Sequence, residues 1–275
     1  MHRWVVGAVE IVRIEDDDFA LPSERPAPAW AVPELAPTTD QVGIAFSAFA
    51  IADGERRIVV DPWLANAAPR ALDDAAERVE RLLAELARAG FPADRVDTVV
   101  NTHFDGIGWN TRPDPARPSG WAPTFGRARY LYPRAELDAW RAGTFSPAAD
   151  GLSVLESDSV LDAVDPDPDQ PVRVSDHVTL RDAPGHNPGH VAVVVESEGA
   201  LAIIPGHLFL TPFQIGDPAE AADLDPTVAE ASRRALLAEL ADRDGLLLSP
   251  LLGGPGGGIV RRRRDGYELT FSRAE

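Results

Sequence analysis

Apolar side chains recur at short intervals through Trp4, Val5, Val6, Val9, Ile11 and Val12, which predicts a strand over residues 4–14. The alternation resumes over residues 42–52 and 57–60, with Asp53-Gly54 as the hairpin turn between them. Between Phe19 and Thr39, Pro22, Pro26, Pro28, Pro33 and Pro37 block both helix and sheet, so this stretch reads as an ordered arm or flap. The period then becomes helical over residues 73–89, where Ala76, Val79, Leu82, Leu83 and Leu86 share a face and Gly90 ends the run. Residues 96–100, 129–132, 178–180, 191–195, 201–204 and 246–248 predict short buried strands, and residues 133–142 a helix. A second strong helix covers residues 226–241, with proline in its first turn and Val228, Ala231, Ala235 and Leu240 on the expected core face. A glycine-rich loop, residues 253–258, leads to a last hairpin. The alternation of helices with hairpin-rich strands predicts two β-sheets with helices outside. With no internal repeat and no linker, the 275 residues are expected to form a single domain, with the proline-rich arm at 19–39.

Composition narrows the chemistry. The chain has no cysteine, which excludes disulfides, thiolate zinc sites and a cysteine nucleophile. It has no lysine either, which excludes Schiff-base catalysis. Metal binding must therefore use imidazole and carboxylate, and six histidines are available for it: His2, His103, His177, His186, His190 and His207. The net charge of −18 argues against nucleic acid and anionic membranes as partners. The run Arg261 to Arg264 is expected to be a solvated hairpin end. The N-terminus lacks the pattern of a secretory signal and no uncharged apolar run reaches membrane-spanning length, so the expected location is cytoplasmic. A small-molecule substrate is the expected partner, and homo-oligomerisation is left open.

Three loops, each following a strand, carry the remaining polar chemistry: Thr102-His103-Phe104-Asp105, Pro184-Gly-His186-Asn-Pro-Gly-His190 and Ile204-Pro-Gly206-His207. Residues 99–110 (VVNTHFDGIGWN) resemble a strand followed by the motif T-H-x-H-x-D-H-x-G-W-N of the metallo-β-lactamase superfamily, in particular its lactonase-like and small-ester hydrolase branch. Residues 183–190 (APGHNPGH) are similar to that family's P-G-H-T-P-G-H loop, whose last histidine binds metal. Residues 127–140 and 206–214 resemble the segments that follow, and Asp61 before Pro62-Trp63 matches the family's acidic position after the third strand. The resemblance implies an α/β fold, a metallo-β-lactamase-like αββα four-layer sandwich, with the three loops meeting at one edge.

It also implies a two-metal site that this chain lacks the ligands to complete. One histidine, His103, and one aspartate, Asp105, stand where the family motif has three histidines and an aspartate; Gly106 replaces one histidine and His207 the bridging aspartate. The last family histidine falls near Pro250 or Leu251. Two adjacent cations need a bridging anion and about seven ligands to offset their repulsion. His103, Asp105, His190 and His207 are at most four, enough for one ion. The leading expectation is an enzyme without the dinuclear centre and with no cofactor. It would act on a small organic molecule of specialised metabolism through acid–base chemistry of His103, Asp105, His190, His207 and Asp61: isomerisation, cyclisation, elimination or hydrolysis. The alternatives are a mononuclear zinc hydrolase of small esters or lactones, and a non-catalytic small-molecule-binding relative. Trp63, Phe104, Trp109, Phe209 and Phe213 are the expected apolar pocket, and His186 and His177 are expected to be structural.

Overall fold

The computed structural model describes residues 1–63, 72–104, 108–143, 150–167, 169–219 and 223–271. The first half of the chain runs through β1 (Arg3–Val6), β2 (Val9–Pro22), β3 (Gln41–Asp53), β4 (Arg56–Val60), α1 (Leu72–Ala89), β5 (Thr98–Val100), a small hairpin of β6 (Thr111–Pro113) and β7 (Trp121–Pro123), β8 (Arg129–Pro133), α2 (Arg134–Arg141), α3 (Asp150–Ser157) and β9 (Leu161–Val164). The second half holds β10 (Val172–Arg173), β11 (Val178–Asp182), β12 (Val191–Ser197), β13 (Ala200–Ile204), α4 (Phe213–Gly216), α5 (Pro226–Asp242), β14 (Leu246–Leu248), β15 (Gly257–Arg263) and β16 (Gly266–Thr270). Among the described residues two seven-stranded sheets form, ordered β1-β2-β3-β4-β5-β8-β9 and β10-β11-β12-β13-β14-β15-β16. Both are mixed: β4, β5, β8 and β9 run parallel, as do β13 and β14, and the other pairings are antiparallel.

The period-2 geometry of strands explains the layering. Successive side chains point to opposite faces, so Ile11, Phe49, Ile51, Ile58, Val60 and Val100 join Leu180, Val193, Val195, Ala202 and Ile204 in a core between the sheets. Their neighbours Val12, Ala48, Ala50, Val59 and Val99 face the other way, onto Val79, Leu82 and Leu86 of α1, Leu137 of α2 and Leu152 and Leu155 of α3. On the second sheet Ala192, Val194, Ile203 and Leu247 likewise turn outward onto Leu236, Leu237 and Leu240 of α5. The result is helix, sheet, sheet, helix.

Several expectations shift. The predicted strand over residues 4–14 is two strands that turn at Gly7, which has a positive φ, and the acidic run Glu15 to Asp18 stays in β2 with a register shift between Glu15 and Asp17. The proline-rich arm therefore begins after Pro22, and Ala31, Leu35 and Ala36 bury it against the second sheet's outer core. The core face of α5 is also displaced. Val228 is exposed, whereas Ala229, Arg233, Leu236, Leu237 and Leu240 are buried. The reason is Arg233, whose guanidinium is drawn inside by polar partners that hydrophobic periodicity does not register. His177 lies at the far end of the sandwich, paired through Nδ1 with Asp53 at 2.7 Å. Arg261, Arg262 and Arg263 each meet a carboxylate, from Asp244, Asp242 and Glu268 respectively. Among the described residues no helix is long and apolar enough to cross a membrane.

Gly185 shows how closely the second histidine loop is pressed onto α5. It has φ +120°, and a Cβ there would collide with the backbone nitrogen and Cα of Ala229. Gly185→Ala is expected to cost about 1–3 kcal/mol through the forced backbone shift, read as a lowered urea midpoint with an unchanged m-value.

Candidate active site: a cluster of four imidazoles

Parallel strands deliver polar side chains to one edge. Asp61 follows β4, and Asn101, Thr102 and His103 follow β5, at the carboxyl ends of two adjacent parallel strands. From the opposing sheet, β13 ends at the turn carrying His207, and the loop between β11 and β12 carries His186 and His190. A hydrogen bond from Val191 N to Thr102 O, 2.9 Å, joins the two sheets at this edge.

Four imidazoles meet there. The His103 ring centroid lies 4.3 Å from that of His207, 4.8 Å from that of His190 and 5.3 Å from that of His186. His103, His186 and His207 each offer a nitrogen within 4.8 Å of the others. His190 is fully buried, and neither of its ring nitrogens has a hydrogen-bond partner. It fits because Gly206, at φ +53°, has no side chain; a Cβ there would sit 2.7 Å from His190 Nε2.

The two best-defined rings are held by carboxylate relays. Thr102 donates twice to Asp61, from its amide at 2.8 Å and from Oγ1 at 2.7 Å. With its only hydroxyl proton committed, Thr102 Oγ1 accepts from His103 Nδ1 at 2.9 Å. That tautomer, assigned from the network, leaves His103 Nε2 as a lone pair, buried and without a hydrogen-bond partner. His186 Nδ1 lies 3.1 Å from Asp223 Oδ1, and Arg233 Nη2 donates to Asp223 Oδ2 at 2.8 Å. The same buried arginine donates to Leu208 O at 3.0 Å, next to His207. Arg233 thus braces two of the three convergent imidazoles.

A third buried carboxylate ties the loops together. Glu136, in the first turn of α2, accepts from Phe104 N at 2.8 Å, Gly189 N at 2.7 Å and Asn187 Nδ2 at 3.1 Å. Burial, and then the neighbouring imidazoles, hold His103 and His190 well below the usual histidine range, so both rings are neutral at physiological pH. Burial pushes Asp61 upward, against the two Thr102 hydrogen bonds and His207.

A cavity enclosing about 20 Å³ opens beside the cluster, lined by Ser47, Asp61, Trp63, Asn101, His103, His207, Pro250 and Leu251 among others. Of the five aromatics expected around it, Trp63 lines it. Phe104 and Trp109 pack in the first sheet's outer core and Phe209 in the second's, while Phe213 stacks under Arg25. The expected site residues His103, His190, His207 and Asp61 come together; Asp105 lies outside the described residues. His186, expected to be structural through hydrogen bonds within its own loop, instead meets Asp223, and its ring lies in the cluster, which raises the imidazole count to four. Its i, i+4 spacing from His190 was the available signal. Glu136, Asp223, Arg233 and Ser47 carried none.

An αββα sandwich with polar groups gathered at the strand ends of both sheets is the metallo-β-lactamase fold. The chain matches the solved structure of AidC, a dizinc quorum-quenching lactonase, with TM-score 0.75 and 20% identity over 99% of this chain and 97% of that one. It matches the hydrolase AbOPH of the β-lactamase superfamily with TM-score 0.71 and 19% identity, covering 100% and 98%. A probable metal-dependent hydrolase from Staphylococcus aureus follows at TM-score 0.65 and 14% identity, covering 98% and 100%. No protein-family profile matches the sequence. Nor does any curated protein match it significantly.

Glu136→Ala removes the acceptor of two buried backbone amides and of the Asn187 side-chain amide, and is expected to destabilise the fold by about 3 kcal/mol or more. Chemical denaturation measures this directly, and a loss below roughly 1 kcal/mol would mean the carboxylate is not the clamp.

Proposed function

We propose that this protein is a metal-dependent hydrolase of small esters or lactones that works with one divalent ion, held by His103, His186 and His207. The carrying observation is the convergence of three imidazole nitrogens within 4.8 Å, with His103 Nε2 buried and lacking a hydrogen-bond partner. An orphaned buried nitrogen costs about 1–3 kcal/mol, and coordination is the interaction that relieves it. The donor set suits the ion: neutral imidazoles with their second nitrogens on Thr102–Asp61 and Asp223–Arg233 are the usual arrangement around zinc. When bound, such an ion supplies Lewis-acid polarisation of an acyl carbonyl.

The chain's own residues do the rest. The two relays hold His103 and His186 in one tautomer and one rotamer, and His190 packs beside His103 as a further imidazole. Trp63, Pro250 and Leu251 supply apolar wall to the cavity, which limits the water around a bound acyl group. That AidC is a dizinc lactonase supports acyl chemistry as the class. The metal-free acid–base reading has less support, because it needs a carboxylate free to exchange protons. Among the described residues near the imidazoles, Asp61 spends both oxygens on Thr102, and Asp223 is taken by His186 and Arg233.

Dialysed protein is expected to take up one equivalent of zinc or cobalt, and hydrolysis of p-nitrophenyl butyrate or γ-hexalactone should vanish with chelator and return with metal. His186→Ala should abolish tight binding, and Asp223→Asn should weaken it by about 10–100-fold, measured by competition with a chelating dye. Full activity in metal-free protein, or two equivalents bound tightly, refutes the reading.

A further inference from the structure

Ser47, on β3, is a polar residue at 4% exposure in the wall of the cavity, facing the same space as Asp61, His103 and His207. Its Oγ accepts from Arg13 Nε at 2.7 Å. Among the described residues its own proton has no acceptor. Arg13 has no solvent exposure, and its other two hydrogen bonds go to Leu252 O, at 2.9 Å, and to Gly254 O. A guanidinium buried without a hydrogen-bonded carboxylate is expensive to desolvate. Here it joins the cavity wall at Ser47 to the loop that contributes Pro250 and Leu251, and Gly256 leaves the room for it: a Cβ there would lie 2.6 Å from the guanidinium carbon.

We propose that Ser47 Oγ–H, polarised by Arg13, is the hydrogen-bond donor to the acyl oxygen of a neutral ester or lactone, and to the carboxylate formed from it. The reaction assignment rests on the hydrolase reading above; the oxygen-binding subsite does not. A hydroxyl that accepts from a cation is a stronger donor, and a fixed donor at the oxygen where charge develops lowers the barrier selectively. Water adds to the carbonyl, the acyl–oxygen bond breaks, and acid and alcohol leave; Ser47 keeps its proton and forms no covalent bond. The space of about 20 Å³ admits one water-sized group, which suits a single acyl oxygen with the remainder of the substrate toward the mouth. Asp61 on the same wall opposes a dianion such as a phosphate monoester.

The test pairs two shape-matched variants, Ser47→Thr and Ser47→Val, with hexanoate as probe. Calorimetry on metal-free and metal-loaded protein should show hexanoate binding retained in Ser47→Thr and weakened at least about tenfold in Ser47→Val. Metal affinity should be unchanged in both. In the same samples kcat for p-nitrophenyl butyrate should fall about 100-fold in Ser47→Val, with KM within about twofold and Ser47→Thr near wild type. A wild-type crystal soaked with hexanoate should place a carboxylate oxygen within about 3 Å of Ser47 Oγ, a readout that stands even if Ser47→Val fails to fold. Equal impairment of both variants, unchanged binding in Ser47→Val, no hexanoate binding by the wild type, or the oxygen bound elsewhere each overturns the proposal. Hexanoate binding that depends on Ser47 in a protein with no hydrolytic activity would sink the hydrolase reading and leave the subsite standing.

Discussion

Packing four imidazoles into one crevice, three of them buried and His186 partly exposed, is the constraint on which the rest of this structure turns. Each ring carries a donor and an acceptor, and each nitrogen left without a partner away from water works against folding. His103 and His190 keep three such nitrogens between them. Around them stand three buried carboxylates, and none is spare: Asp61 grips Thr102, Asp223 grips His186 and Arg233, and Glu136 grips the two histidine loops. Three carboxylates are thus committed to fixing the neighbours of the histidine cluster, and the positions of its nitrogens with them.

The braces explain how the crevice is a defined site: orientation of the rings comes from hydrogen bonds further out. Arg233 supplies it for His186 and for the backbone beside His207 at once. On the other flank, Arg13 ties Ser47 to the loop at Leu252 and Gly254. Two buried arginines, one under each wall, tie the strand-end loops together.

This division of labour fits the sandwich itself. Each sheet edge contributes strand ends at a fixed spacing, and the parallel pairs β4–β5 and β13–β14 aim their carboxyl ends at the same crevice. Helices α2 and α5, one on each outer face, contribute Glu136 and Arg233 inward past the strand ends. Side chains from all four layers therefore meet at one edge, and the cores between the layers fix their positions.

Much of the architecture was legible along the chain. Alternation at Ile11 and Val12, or at Ile203 and Ile204, assigns neighbouring residues to opposite faces of a sheet and so requires two layers of covering structure. Helical periodicity located α1 and α5, and the absence of cysteine confined metal ligation to imidazole and carboxylate. Even the convergence of the loops carrying His103, His190 and His207 was an expectation, implied by the resemblance of residues 99–110 and 183–190 to the family's motifs. What the chain could not display is direction and partnership. His186 meets Asp223 across 37 residues, Glu136 meets Gly189 across 53, and Arg13 meets Leu252 across 239. Periodicity reports which residues leave water, since burial repeats with the backbone. A polar contact between distant segments repeats with nothing, so only the packed layers decide which buried charge finds which ring.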